Sequence, residues 1–229
     1  MQKINFNNFI QIAGVIDQQE ADMLIDCGVN YLGFPLRLPV NKEDLTEEEA
    51  KEIIQKLDPP NYGIVISYSS TADEAIELCD KIGVSIIQLH GPIKIEELVK
   101  LKSIKPELAI IKSLVISNDN VVELLNNLTK FEHYVDAFIT DTYDPTTGAS
   151  GATGKTHNWE ISKKFVDLSS KPIILAGGLN PENVYDAILK VKPAGVDVHT
   201  GVENSSGRKE KHLVVKFFEQ SKKAFEFVR

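Results

Sequence analysis

The sequence predicts an α/β protein folded as a single (β/α)8 (TIM) barrel, and three observations carry that expectation. Short apolar or β-branched runs recur eight times along the 229 residues, each followed by an amphipathic segment or its remnant. These units average about 28 residues, enough for one strand, one helix and two short loops. No Gly/Ser-rich linker or shift in composition divides the chain. Most of the strand runs are continuously apolar, as parallel strands buried on both faces are. An open doubly wound sheet stops more often at about five to seven strands and carries an early glycine fingerprint, which this sequence lacks.

In chain order, the first strand is Phe9–Ala13 (FIQIA), with a helix over Gln18–Cys27. Tyr31–Phe34 (YLGF) precedes a helix over Glu47–Leu57, and Thr46 ahead of Glu47–Ala50 reads as its N-cap. Gly63–Ile66 (GIVI) leads to Thr71–Ile82, and Ser85–Leu89 (SIIQL) to Glu96–Ile104. Leu108–Lys112 (LAIIK) leads to Val121–Lys130. After Ala137–Thr140 (AFIT) comes the longest irregular stretch, Asp141–Asn158, and a loop of that length in a compact barrel is usually functional. Pro172–Ala176 (PIILA) precedes Asn180, an N-cap with proline at the first helical position, and a helix over Pro181–Lys190. Gly195–Val198 (GVDV) and a last helix over Lys211–Phe227 complete the set.

Composition narrows the function. Lys+Arg 25 against Asp+Glu 33 gives a net charge of -8. An acidic balance argues against nucleic acid as a partner, because a phosphate-backbone binder needs a basic patch to displace counterions. No run of about 18 apolar residues is present, so no membrane span is expected. The start, MQKINFNNFI, lacks the pattern of a signal peptide, and a cytoplasmic location is the expectation. Cys27 and Cys79 fall in helical contexts without metal-ligand spacing, so neither a disulfide framework nor a metal site is indicated.

The strongest local signal is Leu175–Val184 (LAGGLNPENV), where a strand ends in two glycines and a capped helix begins. Glycines let backbone N–H groups approach an anion, and a helix N-terminus favours negative charge. An isolated GG would read as a tight turn. Its counterpart Gly195–Gly207 (GVDVHTGVENSSG) ends the eighth strand with Gly201. Phosphate sites in barrels are commonly built from the loops after strands 7 and 8, so the pair predicts a phosphorylated small-molecule substrate.

The same segments carry a resemblance. VSIIQLHG (Val84–Gly91), FITDTYDPTTGASGATGKTHNW (Phe138–Trp159), PIILAGGLNPENV (Pro172–Val184) and GVDVHTGVENSSGRKE (Gly195–Glu210) resemble the phosphoribosylanthranilate isomerase family of tryptophan biosynthesis, in order and spacing. The resemblance spans essentially the whole length and implies a (β/α)8 barrel and an Amadori rearrangement without metal or organic cofactor. That reaction needs a general acid to open a furanose ring and a general base to take a C2 proton. The resemblance assigns the acid to Asp141, whose proton must be held near neutral pH by burial. Nearby Asp144, in an Asp-Pro pair, reads first as turn chemistry. Gly177, Gly178 and Gly201 match phosphate-loop positions. Asp197 and His90 match polar positions near the reacting sugar, although His90 also reads as a packed barrel histidine. Gly151, Thr153, Gly154 and Lys155 match the stretch that shapes the long loop, which is not a Walker A motif.

Two departures fall on chemistry. The family's first strand usually ends in K-x-C-G with cysteine as base, whereas here Gln11 and Ala13 stand in the lysine and cysteine places. The family's Ser-Pro-Arg after the second strand, whose arginine pairs with the anthranilate carboxylate, is replaced by a segment containing Arg37 and Lys42. Either could bind an acid group from that loop or be a solvated charge. His199-Thr200 stands where two serines are common. A histidine there titrates near neutrality and could be the base, or it could add a phosphate or substrate hydrogen bond. Three readings follow: an isomerase with an altered base, a related enzyme acting on a different sugar phosphate, or a barrel that only binds a phosphorylated metabolite. Phe217, Phe218, Phe225 and Phe227 suit closure of the barrel bottom or a dimer contact, leaving monomer and homodimer both open.

Overall fold

Strands dense in isoleucine, valine and phenylalanine need cover on both faces, and a ring of parallel strands inside a ring of helices supplies it. The structure, a computed structural model, describes residues 4–38, 45–117, 120–142, 154 and 156–228. Its elements alternate as β1 (Phe9–Ala13), α1 (Gln18–Asp26), β2 (Tyr31–Leu36), α2 (Glu47–Ile54), β3 (Tyr62–Ser67), α3 (Ala72–Ile82), β4 (Ile86–Leu89) and α4 (Ile95–Ile104). They continue as β5 (Ala109–Ile116), α5 (Val121–Phe131), β6 (Ala137–Thr142), α6 (Trp159–Leu168), β7 (Ile173–Leu175), α7 (Val184–Val191), β8 (Gly195–Val198) and α8 (Lys211–Val228). The strands pair in parallel in chain order, and β8 closes onto β1 with Gln11 opposite Asp197. This is the (β/α)8 barrel that the strand count predicts.

Side chains alternate along each strand, so one set points into the barrel and the other toward the helices. The inward set is apolar in its lower part, where Phe9, Ile64, Ile86, Ile111, Ile139 and Ile174 pack together. The outward set packs under the helices: Ile10 and Ile12 share a cluster with Leu24 and Phe217, and Ile110 and Phe138 one with Leu128 and Phe165. Toward the strands' C-terminal ends the inward positions turn polar. Gln11, Gln88, His90, Ser113, Asp141 and Asp197 all lie there, and all are buried.

Some boundaries differ from those read off the sequence, each for a local reason. β5 runs on to Ile116 because β6 pairs with it as far as Thr142. Helix α6, which follows the long loop, is not among the amphipathic segments picked out above; Asn158 caps it by accepting from the Glu160 N–H. α7 starts at Val184, because Asn180 Oδ1 accepts the N–H groups of Glu182 and Asn183 and so closes a turn over 181–183. Thr46 caps α2 in a reciprocal pair with Glu49. Cys27 terminates α1 and Cys79 is buried in α3, both as free thiols, and burial pushes the Cys79 thiol up to about 12. On α8, Phe217 and Phe225 are buried and Phe227 is exposed.

Phe9 is fully buried at the barrel centre, with its ring 4.1 Å from that of Tyr31 and 5.5 Å from that of Phe6. Phe9→Ala is expected to destabilise the fold by about 3–5 kcal/mol, read from urea unfolding midpoints at constant slope. A loss below about 1 kcal/mol would mean that the barrel interior can collapse around the missing ring.

Candidate active site

The loops after β7 and β8 meet over the barrel mouth. Gly177 and Gly178 have φ of +93° and +65°, and neither donates its N–H to another described residue. A Cβ on Gly177 would collide with the Thr142 hydroxyl, and one on Gly201 with the carbonyl of Leu179. Glycine is therefore required twice, by left-handed backbone at the first position and by loop-to-loop contact at the second. Asn183 Nδ2 donates to Gly178 O at 2.9 Å and holds the turn in shape. Gly177, Gly178 and Gly201 line one pocket together with Asp141, Asp197 and His199. Backbone donors and two carboxyl groups thus face the same space.

Asp141 reaches this cavity from the end of β6. Burial pushes its carboxyl up to about 7, against the Thr142 N–H that donates to it at 2.7 Å. His90, inward from β4, places Nε2 3.7 Å from Asp141 Oδ2 and shares a 2.8 Å hydrogen bond between Nδ1 and the Ser113 hydroxyl. The Tyr68 ring lies 5.2 Å from the His90 ring, and burial followed by the charge of Asp141 pushes its phenol up to about 12. Behind them, the buried Lys112 ammonium donates to the carbonyls of Leu89, Gly91 and Ser113, pinning the turn that carries His90. With no carboxylate beside it, burial draws that ammonium down to about 8.

Asp197 occupies the neighbouring inward position on β8. Burial, then the charge of Asp141, push its carboxyl well up, while the Lys209 ammonium pulls it back. Lys209 is itself enclosed, donating to Glu203 at 2.6 Å and to the Gly14 carbonyl at 3.1 Å. Its backbone N–H donates to Glu20, whose other oxygen accepts from Ile16, so the loops after β1 and β8 are tied together.

The comparisons with known proteins agree with this geometry. Residues 10–220 match the family described as N-(5'phosphoribosyl)anthranilate (PRA) isomerase. N-(5'-phosphoribosyl)anthranilate isomerase 2 of Methanosarcina mazei is 34% identical over 221 residues, covering 96% of each chain. The phosphoribosylanthranilate isomerase of Thermotoga maritima superposes with a TM-score of 0.79 at 25% identity, over 94% of this chain and 99% of that one. A solved isomerase in complex with reduced 1-(o-carboxyphenylamino)-1-deoxyribulose 5-phosphate, 23% identical over 94% of this chain and 99% of its own, has a TM-score of 0.76 and supports the fold.

The chain belongs to the phosphoribosylanthranilate isomerase family.

Within this family's barrel, seven of the sequence-predicted residues converge and one does not. Asp141, Asp197, His199, Gly177, Gly178 and Gly201 share the cavity, and His90 stands behind Asp141. Arg37 is the correction. It sits past the end of β2 at φ +54° and reaches outward to Glu47 at 2.7 Å and Glu77 at 2.7 Å. Those carboxylates raise its pKa further, and Lys81 joins the cluster through Glu47. In this structure the arginine links α2 and α3 through these carboxylates.

His199 also differs from expectation. Its ring lies against Gly14, 3.3 Å from Glu203, and burial followed by the Lys209 ammonium pushes its pKa down to about 3. A quarter of the side chain remains exposed, yet the direction is downward, away from the neutral titration that the residue type suggests. Asp144, Lys42, Gly151, Thr153 and Lys155 lie outside the described residues. Tyr68, Ser113 and Lys209 were missed by sequence reasoning. Ser113 gave the clearest signal, as a polar residue at an inward step of an apolar strand.

Burial of Asp141 makes a stability prediction whose sign is fixed by proton count. In the unfolded chain the carboxyl ionises near 3.8, and in the fold near 7, so between those values only the folded chain keeps the proton. Stability contributed by this group therefore falls as pH rises from about 4 to about 7 and stays low above. Asp141→Asn is expected to be more stable than the parent at pH 8, by on the order of 4 kcal/mol at most, with the gap closing near pH 4. Urea unfolding at both pH values checks it; equal stabilities at pH 8 would mean that the carboxyl is well solvated.

Proposed function

We propose that this protein isomerises N-(5'-phosphoribosyl)anthranilate to the 1-deoxyribulose 5-phosphate ketoamine, in the cytoplasm and with no metal or organic cofactor. The observation that carries the reading is the cavity in which Gly177, Gly178 and Gly201 face a buried, proton-holding Asp141. Backbone N–H groups at Gly177 and Gly178 receive the 5-phosphate, and positive charge from lysine or arginine is not required there. Anchoring the phosphate fixes the sugar, so that the furanose oxygen meets a positioned acid. Asp141 gives that oxygen its proton as the C1–O bond breaks and the nitrogen lone pair forms C1=N. Loss of the C2 proton then yields an enolamine that tautomerises to the ketoamine. His90, 3.7 Å from the acid, stabilises the carboxylate that proton donation leaves behind.

The neighbour with bound reduced ketoamine supports the same ligand class for this chain and supplies a probe that cannot react. A specific observation favours a second reading, in which a different phosphorylated amine is the substrate. Arg37 is already held by Glu47 and Glu77, so the aromatic carboxylate lacks that partner.

Rescue of a tryptophan auxotroph that lacks the isomerase, abolished by Asp141→Asn, is the expected outcome for the first reading. Failure of the parent chain to rescue, with no turnover of phosphoribosylanthranilate by the purified protein, would transfer the assignment to the second. In the free protein, kcat/KM is expected to decline as pH rises through about 7, because the acid is lost as Asp141 ionises. A profile flat from pH 6 to pH 9 would exclude Asp141 as the acid. Arg37→Ala is expected to leave KM for phosphoribosylanthranilate within about twofold, and to cost about 1 kcal/mol or less because the pair is partly exposed. A tenfold rise in KM would restore Arg37 to the substrate.

A further inference from the structure

The proposed isomerisation requires a group that removes the C2 proton, and Ala13 at the end of β1 has nothing to accept it with. We propose that Asp197 is the general base of this protein, its carboxylate taking the C2 proton while Asp141 serves as the acid. The assignment rests on the isomerase reading above. Its geometric ground is that Asp197 enters the mouth from the strand beside β1, where Gln11 is its register partner and Ala13 lies one inward step further along. It shares one cavity with Asp141 and the phosphate loops. Its Oδ1 is buried and has no hydrogen-bond partner among the described residues. That oxygen is open to a reacting proton, while Gln11 is the side chain that hydrogen-bonds to the carboxyl.

Among the described residues, the other acceptors around the mouth are committed elsewhere. His199 packs on Gly14 beside Glu203 and has little affinity for a proton. Glu203 is held by the enclosed Lys209 ammonium at 2.6 Å. His90 is joined to Ser113 through Nδ1 and faces the acid Asp141 with Nε2. Two buried carboxyls in one cavity oppose each other's ionisation, so the pair retains a single proton. Of the two, Asp197 is the one whose ionised form the Lys209 ammonium favours, against burial and the charge of Asp141.

The proton count closes. Asp141 protonates the ring oxygen, the C1–O bond breaks, and the nitrogen lone pair makes a cationic C1=N. Asp197 takes the C2 proton; the C–H electron pair becomes the C1=C2 bond and neutralises the nitrogen. Asp197 then returns that proton to C1 as the 2-hydroxyl gives its own to Asp141, which leaves the ketone. Both carboxyls end in their starting states, with no external acid, base or oxidant consumed.

The test compares the parent chain with Asp197→Asn and with Asp197→Asn carrying Ala13→Cys, using phosphoribosylanthranilate turnover and titration of the reduced ketoamine. Asp197→Asn is expected to lower kcat by roughly 100-fold or more, with KM and reduced-ketoamine affinity within about threefold. Ala13→Cys in that background is expected to return at least about tenfold, because a thiolate at position 13 offers a replacement base. Three results overturn the proposal: Asp197→Asn turnover within about fivefold of the parent, a loss matched by equal loss of reduced-ketoamine binding, or no recovery with the cysteine. Absence of turnover by the parent chain is a different failure, and removes the isomerase reading itself.

Discussion

Closure of the barrel is the constraint on which the rest of the molecule depends. Because β8 pairs with β1, every inward side chain faces other inward side chains and not water. In the lower part that enclosure is favourable: Phe9, Ile64, Ile111 and Ile139 bury apolar surface against one another. In the upper part the same enclosure acts on polar groups and raises or lowers their proton affinity. Asp141 and Asp197 are pushed up and His199 down, each with burial as the largest cause. A carboxyl that holds its proton close to neutral pH therefore follows from the packing below it.

A desolvated group is useful only if it is held still, and the loops around the mouth are anchored to do this. The enclosed Lys209 ties Glu203 to the Gly14 carbonyl, and Glu20 accepts from Ile16 and Lys209. On the other side, Thr142 and Ser162 hold the two nitrogens of His157, linking β6 to α6; burial pushes that ring down to about 4, so it stays neutral. Lys112 grips the carbonyls beneath His90. Breaking a buried charged contact of this kind costs far more than losing a surface ion pair, since one partner is left without water or counter-charge. The rigid part of the site and the reactive part are thus held by the same strand ends.

The negative charge of the whole chain, -8, is compatible with an anionic substrate because the anion is met locally. Glycine backbone and left-handed turns supply donors without a basic surface. Among the described residues, Lys209 at the mouth is already paired with Glu203. The mouth thus brings two buried carboxyls, Asp141 and Asp197, into one pocket with the glycine loops.

The eight apolar runs, the glycine pairs and the acid at the end of the sixth strand were legible because each is written in consecutive residues: periodicity, turn chemistry and strand order are local properties of a chain. Helix α6 and the start of α7 were not, since Asn158 and Asn180 fix them through hydrogen bonds made after the neighbouring loops are placed. Nor was the fate of Arg37, because Glu77 lies 40 residues away and only the packing of α3 beside α2 brings it within 2.7 Å. His199 carried the ordinary expectation of its residue type until enclosure and Lys209 reversed it. By itself the sequence determined the barrel, the glycine turns after its seventh and eighth strands and the alanine at position 13. How tightly Asp141 and Asp197 hold their protons was decided by tertiary structure, since burial and the field of distant charges exist only once the ring is closed.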